Sequence, residues 1–231
     1  MVSTGATQRR NRNPQAQPTD AHTHQRNGKE WSMPYIPEAQ QTPWQQSSDV
    51  NLSSCAVLVI DILGGTSGPT PGLESMAENA VKIVKAARAT HLPVLFTNDA
   101  HIEGVDRELE LWGNHGVRNT DAAQPLAEFD VQESDFIIPK RRYDGFFQTD
   151  LDLTLRELGV DTLIAFGCDT NICVLQTLAS AYFLGYKTIV PADACGTFLI
   201  GTQEQGLEYF TRCYDSRVVE TQTILDVLAG N

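Results

Sequence analysis

Residues 55–61 read CAVLVID, six consecutive apolar residues followed by an aspartate. An apolar run of this length without alternation is typical of a strand buried on both faces, as strands of parallel sheets are. The stretch that follows, residues 72–90, carries apolar residues at three- and four-residue spacing, which predicts an amphipathic helix. A buried strand followed by such a helix opens a β-α-β unit and indicates an α/β fold.

The same alternation of buried strands and amphipathic helices continues along the chain. Further strands are predicted at residues 93–97, 136–139, 162–166 and 187–191, with a candidate edge strand at 216–220. Helices are predicted at residues 151–158, 172–184 and 203–213, and Gly159 and Gly185 follow the first two as C-terminal stops. The sequence therefore predicts a three-layer α-β-α sandwich around a mainly parallel sheet of five or six strands.

Composition and charge exclude several classes of protein. Of the 231 residues, 41% are hydrophobic and 20% charged, which excludes collagen, coiled-coil and wholly disordered chains. The 17 Lys and Arg against 29 Asp and Glu give a net charge of -12, which opposes binding to phosphate backbones. No run approaches the roughly 18 consecutive apolar residues of a membrane-spanning helix, and no apolar run follows the N-terminal arginines as a secretory signal requires. We expect a cytoplasmic protein that binds neither nucleic acid nor membranes.

The first 50 residues differ from the rest of the chain. They are rich in Gln, Asn, Thr, Pro and Arg and lack apolar periodicity, so we interpret residues 1–50 as a flexible tail. One domain is predicted at residues 51–231. The tail has four larger apolar side chains that are candidates for pinning it to the domain or to a neighbouring subunit: Trp31, Tyr35, Ile36 and Trp44.

Three chemically reactive side chains stand at the ends of predicted strands. Asp61 follows the first strand, Lys140 follows the third, and Cys173 opens the helix after the fourth. Ligands of open parallel sheets bind beyond the carboxyl ends of the strands, so these residues are candidates for a common site. A thiol at a helix N-terminus near a lysine is expected to favour the nucleophilic thiolate. Each residue taken alone also has an ordinary interpretation, as a helix cap, a solvated lysine and an inert buried thiol.

At these residues the chain resembles the isochorismatase-like cysteine hydrolases, which include nicotinamidases, N-carbamoylsarcosine amidohydrolase and ureidoacrylate amidohydrolase. The resemblance covers about residues 55–195 and rests on five segments: VLVIDIL with Asp61, TNDAH with Asp99 and His101, WGNHGVRNT with His115, IPKRRYDGFFQTDLD with Lys140, and GCDTNICV with Cys173. It implies a catalytic triad of Asp61, Lys140 and Cys173. It also implies a cis peptide between Cys168 and Asp169, and an oxyanion hole formed by the N–H groups of Asp169 and Cys173.

The activity that the resemblance implies is hydrolysis of an amide or ureido C–N bond through a thioester on Cys173. Asp61 would move the protons, and Lys140 would hold Asp61 in place.

The five cysteines are an odd set without paired C-x-x-C spacing, so reduced thiols are expected. Two other functions stay open, a vinyl-ether hydrolase that relies on the Asp, and a non-catalytic flavodoxin-like binding module. Members of the family commonly form homodimers or homotetramers.

Asp99, His101 and His115 match the nicotinamidase pattern in which an Asp and two His bind a divalent ion near the substrate. Imidazole and carboxylate suit Zn, Mn or Fe. The alternative interpretation is that both histidines are hydrogen-bonded wall residues, since some family members need no metal.

The substrate itself stays open at this level. Candidate substrate-binding residues are Leu63, Trp112, Tyr143, Phe146, Phe147 and Asn171. The run from Lys140 to Thr149 resembles ureidoacrylate amidohydrolase, whereas the Asp-x-His and Trp-x-x-His elements resemble nicotinamidase. Asp169 stands where the family commonly has a small residue. Its carboxylate would raise the pKa of Cys173 unless it points away or pairs with Arg141 or Arg142.

Overall fold

The structure, a computed structural model, describes residues 51–230. The predictions about the tail at residues 1–50, including its four apolar side chains, lie outside the described residues. Within residues 51–230, no helix combines the length and the apolar character that crossing a membrane requires.

A six-stranded, all-parallel sheet forms the centre of the fold. Its strands are β1 Cys55–Ile60, β2 Val94–Asp99, β3 Phe136–Lys140, β4 Thr162–Gly167, β5 Lys187–Pro191 and β6 Arg217–Val219. They lie side by side in the order β3-β2-β1-β4-β5-β6. The predicted α/β fold with a parallel sheet is confirmed. Every residue of β1, β2 and β4 is buried. Strands buried on both faces consist mainly of apolar residues, so the sequence predicts them as apolar runs.

Within residues 51–230, six α-helices connect and cover the strands. They are α1 Glu74–Ala89, α2 Arg107–Trp112, α3 Leu151–Glu157, α4 Leu175–Phe183, α5 Gln203–Tyr214 and α6 Thr221–Leu228. Helix α1 packs against α6, and α4 packs against α5. Because parallel crossovers are right-handed and the strand order runs outward in both directions from β1 and β4, the two pairs cover opposite faces of the sheet.

The sequence prediction contains neither α2 nor α6, and α4 begins three residues later than predicted. Helix α2 has only six residues, too few to show a periodic pattern. Helix α6 does carry the pattern, since Ile224, Val227 and Leu228 are buried at three- and four-residue spacing. Cys173 does not open an α-helix as predicted, because a π-helical turn at Thr170–Val174 precedes α4.

The strand order reverses between β1 and β4, and this switch point needs a glycine at the end of β4. A Cβ atom on Gly167 would lie 1.9 Å from the carbonyl oxygen of Ile60, and the φ of Gly167 is +146°. Only glycine permits this close approach. This close approach brings the residues after β4 next to Asp61, which follows β1. Both lie at the crevice where ligands of doubly wound sheets bind.

Candidate active site

The structure brings the three predicted catalytic side chains together at the carboxyl edge of the sheet. The Nζ of Lys140 lies 2.6 Å from Oδ2 of Asp61 and 3.8 Å from Sγ of Cys173. All three residues are buried, with exposed fractions of 8% for Asp61, 1% for Lys140 and 7% for Cys173. A carboxylate, an ammonium and a thiol therefore share one small volume.

Asp99 completes this cluster, although the sequence marked it only as a metal ligand. It is the last residue of β2, between the strands that carry Asp61 and Lys140. Its Oδ1 accepts a hydrogen bond from Nζ of Lys140 at 2.5 Å, and its backbone N–H donates to Oδ1 of Asp61 at 2.8 Å. One buried cation is thus shared by two carboxylates, which offsets the cost of burying its charge.

The two carboxyl groups differ in proton affinity. Burial and the neighbouring charge of Asp99 raise the pKa of Asp61 to about 6, although Lys140 acts in the opposite direction. For Asp99, burial acts to raise the pKa, but the charge and hydrogen bond of Lys140 and the imidazole of His101, 3.6 Å away, prevail and bring it to about 2. Burial acts to lower the pKa of Lys140, but the charges of Asp61, Cys173 and Asp99 hold it well above its usual value. Asp61 is therefore the carboxyl group able to exchange protons near neutral pH.

The surroundings of Cys173 oppose the thiolate that the sequence predicts. Burial and the charge of Asp61 raise the pKa of its thiol well above the usual value, and Lys140 lowers it only in part. The sequence favoured a thiolate because it revealed the lysine and the expected helix start, but not the depth of burial. Burial and the charge of Asp61 therefore both favour the neutral thiol over the thiolate.

The loop after β4 contains the residues of the predicted oxyanion hole. The peptide bond between Cys168 and Asp169 is cis. The N–H of Asp169 has no acceptor among residues 51–230. Its carboxylate is engaged elsewhere, because it accepts hydrogen bonds from the backbone N–H groups of Asn171, Phe198 and Leu199. Arg141 and Arg142 do not pair with Asp169; both lie against Asp106.

The three predicted metal ligands also converge. Ligand atoms of Asp99, His101 and His115 lie within 4.8 Å of one another. His115 contacts the carbonyl oxygen of Gly113 through Nδ1 at 2.8 Å, which leaves its Nε2 3.9 Å from Oδ2 of Asp99. His101 is completely buried, and neither of its ring nitrogens has a hydrogen-bond partner among the described residues. A buried imidazole without a partner is costly, so this donor set fits a divalent ion.

Glu108, which no pattern in the sequence indicates, lies in α2 beside these ligands. Its Oε2 is 3.6 Å from Nε2 of His101, and within the described chain neither carboxylate oxygen has a hydrogen-bond partner. Burial raises the pKa of this carboxyl group. A glutamate in a short, highly charged helix gave no signal in the sequence, because its burial depends on how α2 packs.

A cavity of about 550 Å³ opens beside Cys173. Of the predicted substrate-binding residues, Leu63, Trp112 and Tyr143 line it, and Nε1 of Trp112 donates to the hydroxyl of Tyr143 at 2.8 Å. The wall also contains residues that the sequence did not indicate: Ile172, Phe198, Leu199 and the segment Ser67–Pro71. Its surface is mostly apolar.

Three other predicted substrate-binding residues do not line this cavity, and each has another place. Phe146 packs against the core, with its ring 5.6 Å from that of Tyr186. Phe147 is 51% exposed at the protein surface. The side-chain amide of Asn171 donates to the carbonyl groups of Ile200 and Thr202. The sequence places these residues near candidate catalytic residues but does not reveal which way their side chains turn.

A doubly wound parallel sheet with a thiol, a carboxylate and a buried lysine at its switch point defines a class of α/β hydrolases. The chain belongs to the isochorismatase family, whose domain model matches residues 55–223. The predicted family is confirmed, and the chain is a hydrolase of that family.

Named relatives and solved structures include amidohydrolases. The chain is 33% identical to the uncharacterized isochorismatase family protein YwoC of Bacillus subtilis, over 74% of this chain and 94% of YwoC. It is 32% identical to the ureidoacrylate amidohydrolase RutB of Serratia proteamaculans, over 66% of this chain and 69% of RutB. The crystal structure of N-carbamoylsarcosine amidase from Thermoplasma acidophilum matches with a TM-score of 0.66 and 31% identity, over 73% of this chain and 96% of that one. The pyrazinamidase/nicotinamidase of Streptococcus mutans matches with a TM-score of 0.65 and 27% identity, over 72% of this chain and all of that one.

Proposed function

We propose that the protein is a cysteine-dependent amidohydrolase that cleaves the C–N bond of a small amide or ureide and releases ammonia or an amine. The observation that carries this proposal is the meeting of Asp61, Lys140 and Cys173, of which Asp61 and Cys173 line the cavity. The names of the relatives, which include ureidoacrylate amidohydrolase and N-carbamoylsarcosine amidase, support the same class of reaction.

The first step forms a thioester on Cys173. Asp61 accepts the thiol proton, and the sulfur attacks the carbonyl carbon of the substrate while the carbonyl electron pair moves to oxygen. The backbone N–H groups of Asp169 and Cys173 stabilise this oxyanion. Loss of one such donor typically costs about 2.7 to 4 kcal/mol in the transition state. Asp61 then gives its proton to the departing nitrogen, the C–N bond breaks, and the acyl group remains on sulfur.

The second step hydrolyses the thioester. Asp61 takes a proton from the attacking water, which forms the second tetrahedral intermediate. The C–S bond then breaks, Asp61 returns that proton to the departing sulfur, and the carboxylic product leaves the free thiol and the carboxylate of Asp61 behind. Lys140 remains protonated throughout, because two carboxylates and the sulfur surround it. Its role is to hold Asp61 by the 2.6 Å contact and to balance negative charge as it forms on sulfur.

We propose that Asp99, His101 and His115 hold one divalent ion, with Zn, Mn or Fe suited to their imidazole and carboxylate groups. Oδ2 of Asp99 is the atom available for this, since Oδ1 binds Lys140. A bound ion would supply Lewis-acid polarisation next to the substrate. The chain's own groups orient that substrate, because Asp99 and His115 line the same cavity as Cys173.

Ammonia release from a panel of amides and ureides tests the proposed function. Cys173→Ala is expected to abolish release while its circular dichroism matches that of the unsubstituted protein. Cys213→Ala is the matched control, because Cys213 is exposed and lies in α5 outside the cavity wall. Normal rates in a folded Cys173→Ala protein would overturn the covalent mechanism.

Labelling with iodoacetamide offers a second test, but it needs Cys213 removed first. Among the cysteines, four are buried and Cys213 is exposed, so Cys213 would react regardless of the active site. In a Cys213→Ser background, loss of activity is expected to follow incorporation of one label at Cys173. Full activity after complete labelling of Cys173 would contradict a nucleophilic role.

A further inference from the structure

The carboxylate of Asp169 ties two distant segments of the chain together. Its Oδ2 accepts hydrogen bonds from the backbone N–H groups of Phe198 at 2.8 Å and Leu199 at 2.9 Å. Its Oδ1 accepts from the backbone N–H of Asn171 at 2.8 Å. The residue is buried, and hydrogen bonds to a buried charged group are stronger than neutral ones. The loop after β4 therefore holds the loop after β5.

Asn171 holds the far end of the same loop. Its Nδ2 donates to the carbonyl oxygens of Ile200 at 2.7 Å and Thr202 at 3.1 Å. Gly206, in the first turns of α5, packs closely on this side chain, since a Cβ atom there would lie 2.5 Å from Oδ1 of Asn171. Asp169 and Asn171 together form what we call the loop clamp, which fixes residues 197–202.

The loop clamp matters because the apolar side chains of residues 198–200 are only partly buried. Phe198 and Leu199 line the substrate cavity, yet 46% and 49% of these residues are exposed. Segments with few buried apolar contacts open readily unless hydrogen bonds hold them. The position of this apolar wall therefore depends on the hydrogen bonds of Asp169 and Asn171 as well as on packing.

The charges around the cavity point to the kind of substrate that this wall accepts. No Lys or Arg belongs to the cavity lining formed by residues 51–230, whereas Asp61, Asp99 and Asp169 do. Next to Phe198 and Leu199, a carboxylate on the substrate would meet the carboxylate of Asp169 and no lysine or arginine side chain, which is unfavourable in a partly desolvated site. The proposed divalent ion would lie at Asp99 and His115 instead. An uncharged amide with an apolar acyl group fits both the walls and the charge.

We propose that Asp169 is a positioning residue whose carboxylate holds Phe198 and Leu199 as an apolar wall, and that this wall selects uncharged, apolar amides over ureido acids. The inference rests on the proposed amidohydrolase function. It concerns the side chain of Asp169, whereas the oxyanion role concerns its backbone N–H. The two roles can be separated, because a substitution changes the side chain and leaves the N–H in place.

Asp169→Asn is the substitution that tests the hydrogen bonds of the clamp most directly. Three backbone N–H groups need acceptors, and an amide offers one oxygen and an NH₂ group that itself donates. One donor therefore faces another in either orientation of the asparagine. Asp193→Asn is the matched control, since Asp193 also accepts a backbone N–H, from Thr221 at 2.7 Å, and does not line the cavity. Asn171→Ala removes the other half of the clamp and serves as a second variant should Asp169→Asn fail to fold.

The clamp itself is tested by hydrogen exchange, which needs no substrate. The amides of Phe198 and Leu199 are expected to exchange at least about tenfold faster in Asp169→Asn, and the loop peptide faster in Asn171→Ala. In Asp193→Asn the same amides are expected to exchange at the unsubstituted rate. Unchanged exchange in both clamp variants would overturn the clamp, whichever substrates the protein hydrolyses.

Substrate selection is tested with three probes: benzamide, acetamide and N-carbamoylglycine. The unsubstituted protein is expected to prefer benzamide over N-carbamoylglycine by at least about tenfold in kcat/KM. Phe198→Ala and Asp169→Asn are expected to lower kcat/KM for benzamide about tenfold more than for acetamide, which is too small to reach the wall. Asp193→Asn is expected to leave that ratio unchanged.

Each failure has a separate meaning. A preference for N-carbamoylglycine would overturn the inferred substrate class while leaving C–N hydrolysis intact. An equal loss for benzamide and acetamide in Asp169→Asn would overturn the role of its side chain in selectivity. Absence of ammonia from every amide and ureide would contradict the proposed function and the inferred selectivity, and the exchange measurement would still decide the clamp.

Discussion

Lys140 and Asp99 form a buried ion pair, with Nζ and Oδ1 2.5 Å apart, and the same Nζ lies 2.6 Å from Asp61. Two acidic side chains thus depend on one cation that is almost inaccessible to solvent. This arrangement links the proposed nucleophile site to the proposed metal site, since Asp99 belongs to both clusters. It also makes Lys140 the residue on which the stability of the site most depends.

Lys140→Gln is expected to lower both stability and activity. Removing one partner of a buried ion pair leaves an uncompensated charge and typically costs about 3 to 5 kcal/mol of unfolding free energy. Urea unfolding measures this cost, and ammonia release is expected to fall more than about a hundredfold. Arg142→Gln is the control, because Arg142 is exposed and its contacts with Asp106 and Glu108 are 3.8 and 3.9 Å long. Equal stability of the two variants would contradict the shared ion pair.

The rate of the metal-free protein is expected to depend on the protonation of Asp61. Since burial and Asp99 raise the pKa of Asp61 to about 6, kcat/KM is expected to rise with pH through about 6 and then level off. Asp99→Asn removes a charge that raises this pKa, so the rise is expected at lower pH. Asp193→Asn serves as the control. A pH profile that is flat between about 5 and 7 would exclude Asp61 as the base.

Gly167→Ala is expected to destabilise the fold by more than about 3 kcal/mol. A Cβ atom at this position would collide with the backbone of β1, and φ is +146°. Gly159→Ala is the matched control, since Gly159 also has a positive φ of +69° but no atom lies within 4 Å of its added Cβ. Its cost is expected to be about 1 to 2 kcal/mol, from backbone strain alone. Similar chemical-unfolding midpoints for the two variants would show that the close approach to β1 does not matter.

Metal analysis is expected to find about one divalent ion per chain in protein purified without a histidine tag. His101→Gln is expected to abolish binding in a direct titration, because His101 is one of the three clustered donors. Glu108→Gln is expected to weaken binding about tenfold or more, since its carboxylate lies beside His101. Glu110→Gln, at an exposed position on the same helix, is expected to bind normally. Full activity after complete chelation would remove the ion from the proposed reaction.

The strands and the meeting of the three reactive side chains could be predicted from the sequence. Buried strands appear as apolar runs, and the carboxyl ends of parallel strands meet at one edge, so Asp61, Lys140 and Cys173 were expected together. The pocket wall could not be predicted, because Phe198 and Leu199 reach it through hydrogen bonds to Asp169, about 30 positions away in the chain.

Burial was the second property that the sequence did not reveal. The thiol of Cys173 was expected to ionise because a lysine lies nearby, but burial and the charge of Asp61 outweigh that lysine and raise its pKa. Glu108 was overlooked for the same reason, since the sequence around it is that of a solvated helix. Both cases concern desolvation, which depends on how separate elements pack and leaves no local pattern.

The raised pKa of Cys173 leads to a test in which reactivity and turnover change in opposite directions. The charge of Asp61 acts to raise the pKa of the thiol, so Asp61→Asn is expected to increase the fraction of thiolate at a given pH. The same variant lacks the proposed proton carrier and is expected to lose turnover. The ultraviolet absorbance of the thiolate, taken as the difference from a matched protein that also carries Cys173→Ala, measures the first effect. Ammonia release measures the second. A thiolate fraction that fell in Asp61→Asn would mean that Asp61 stabilises the sulfur anion, and a variant that kept its turnover would mean that another group carries the proton.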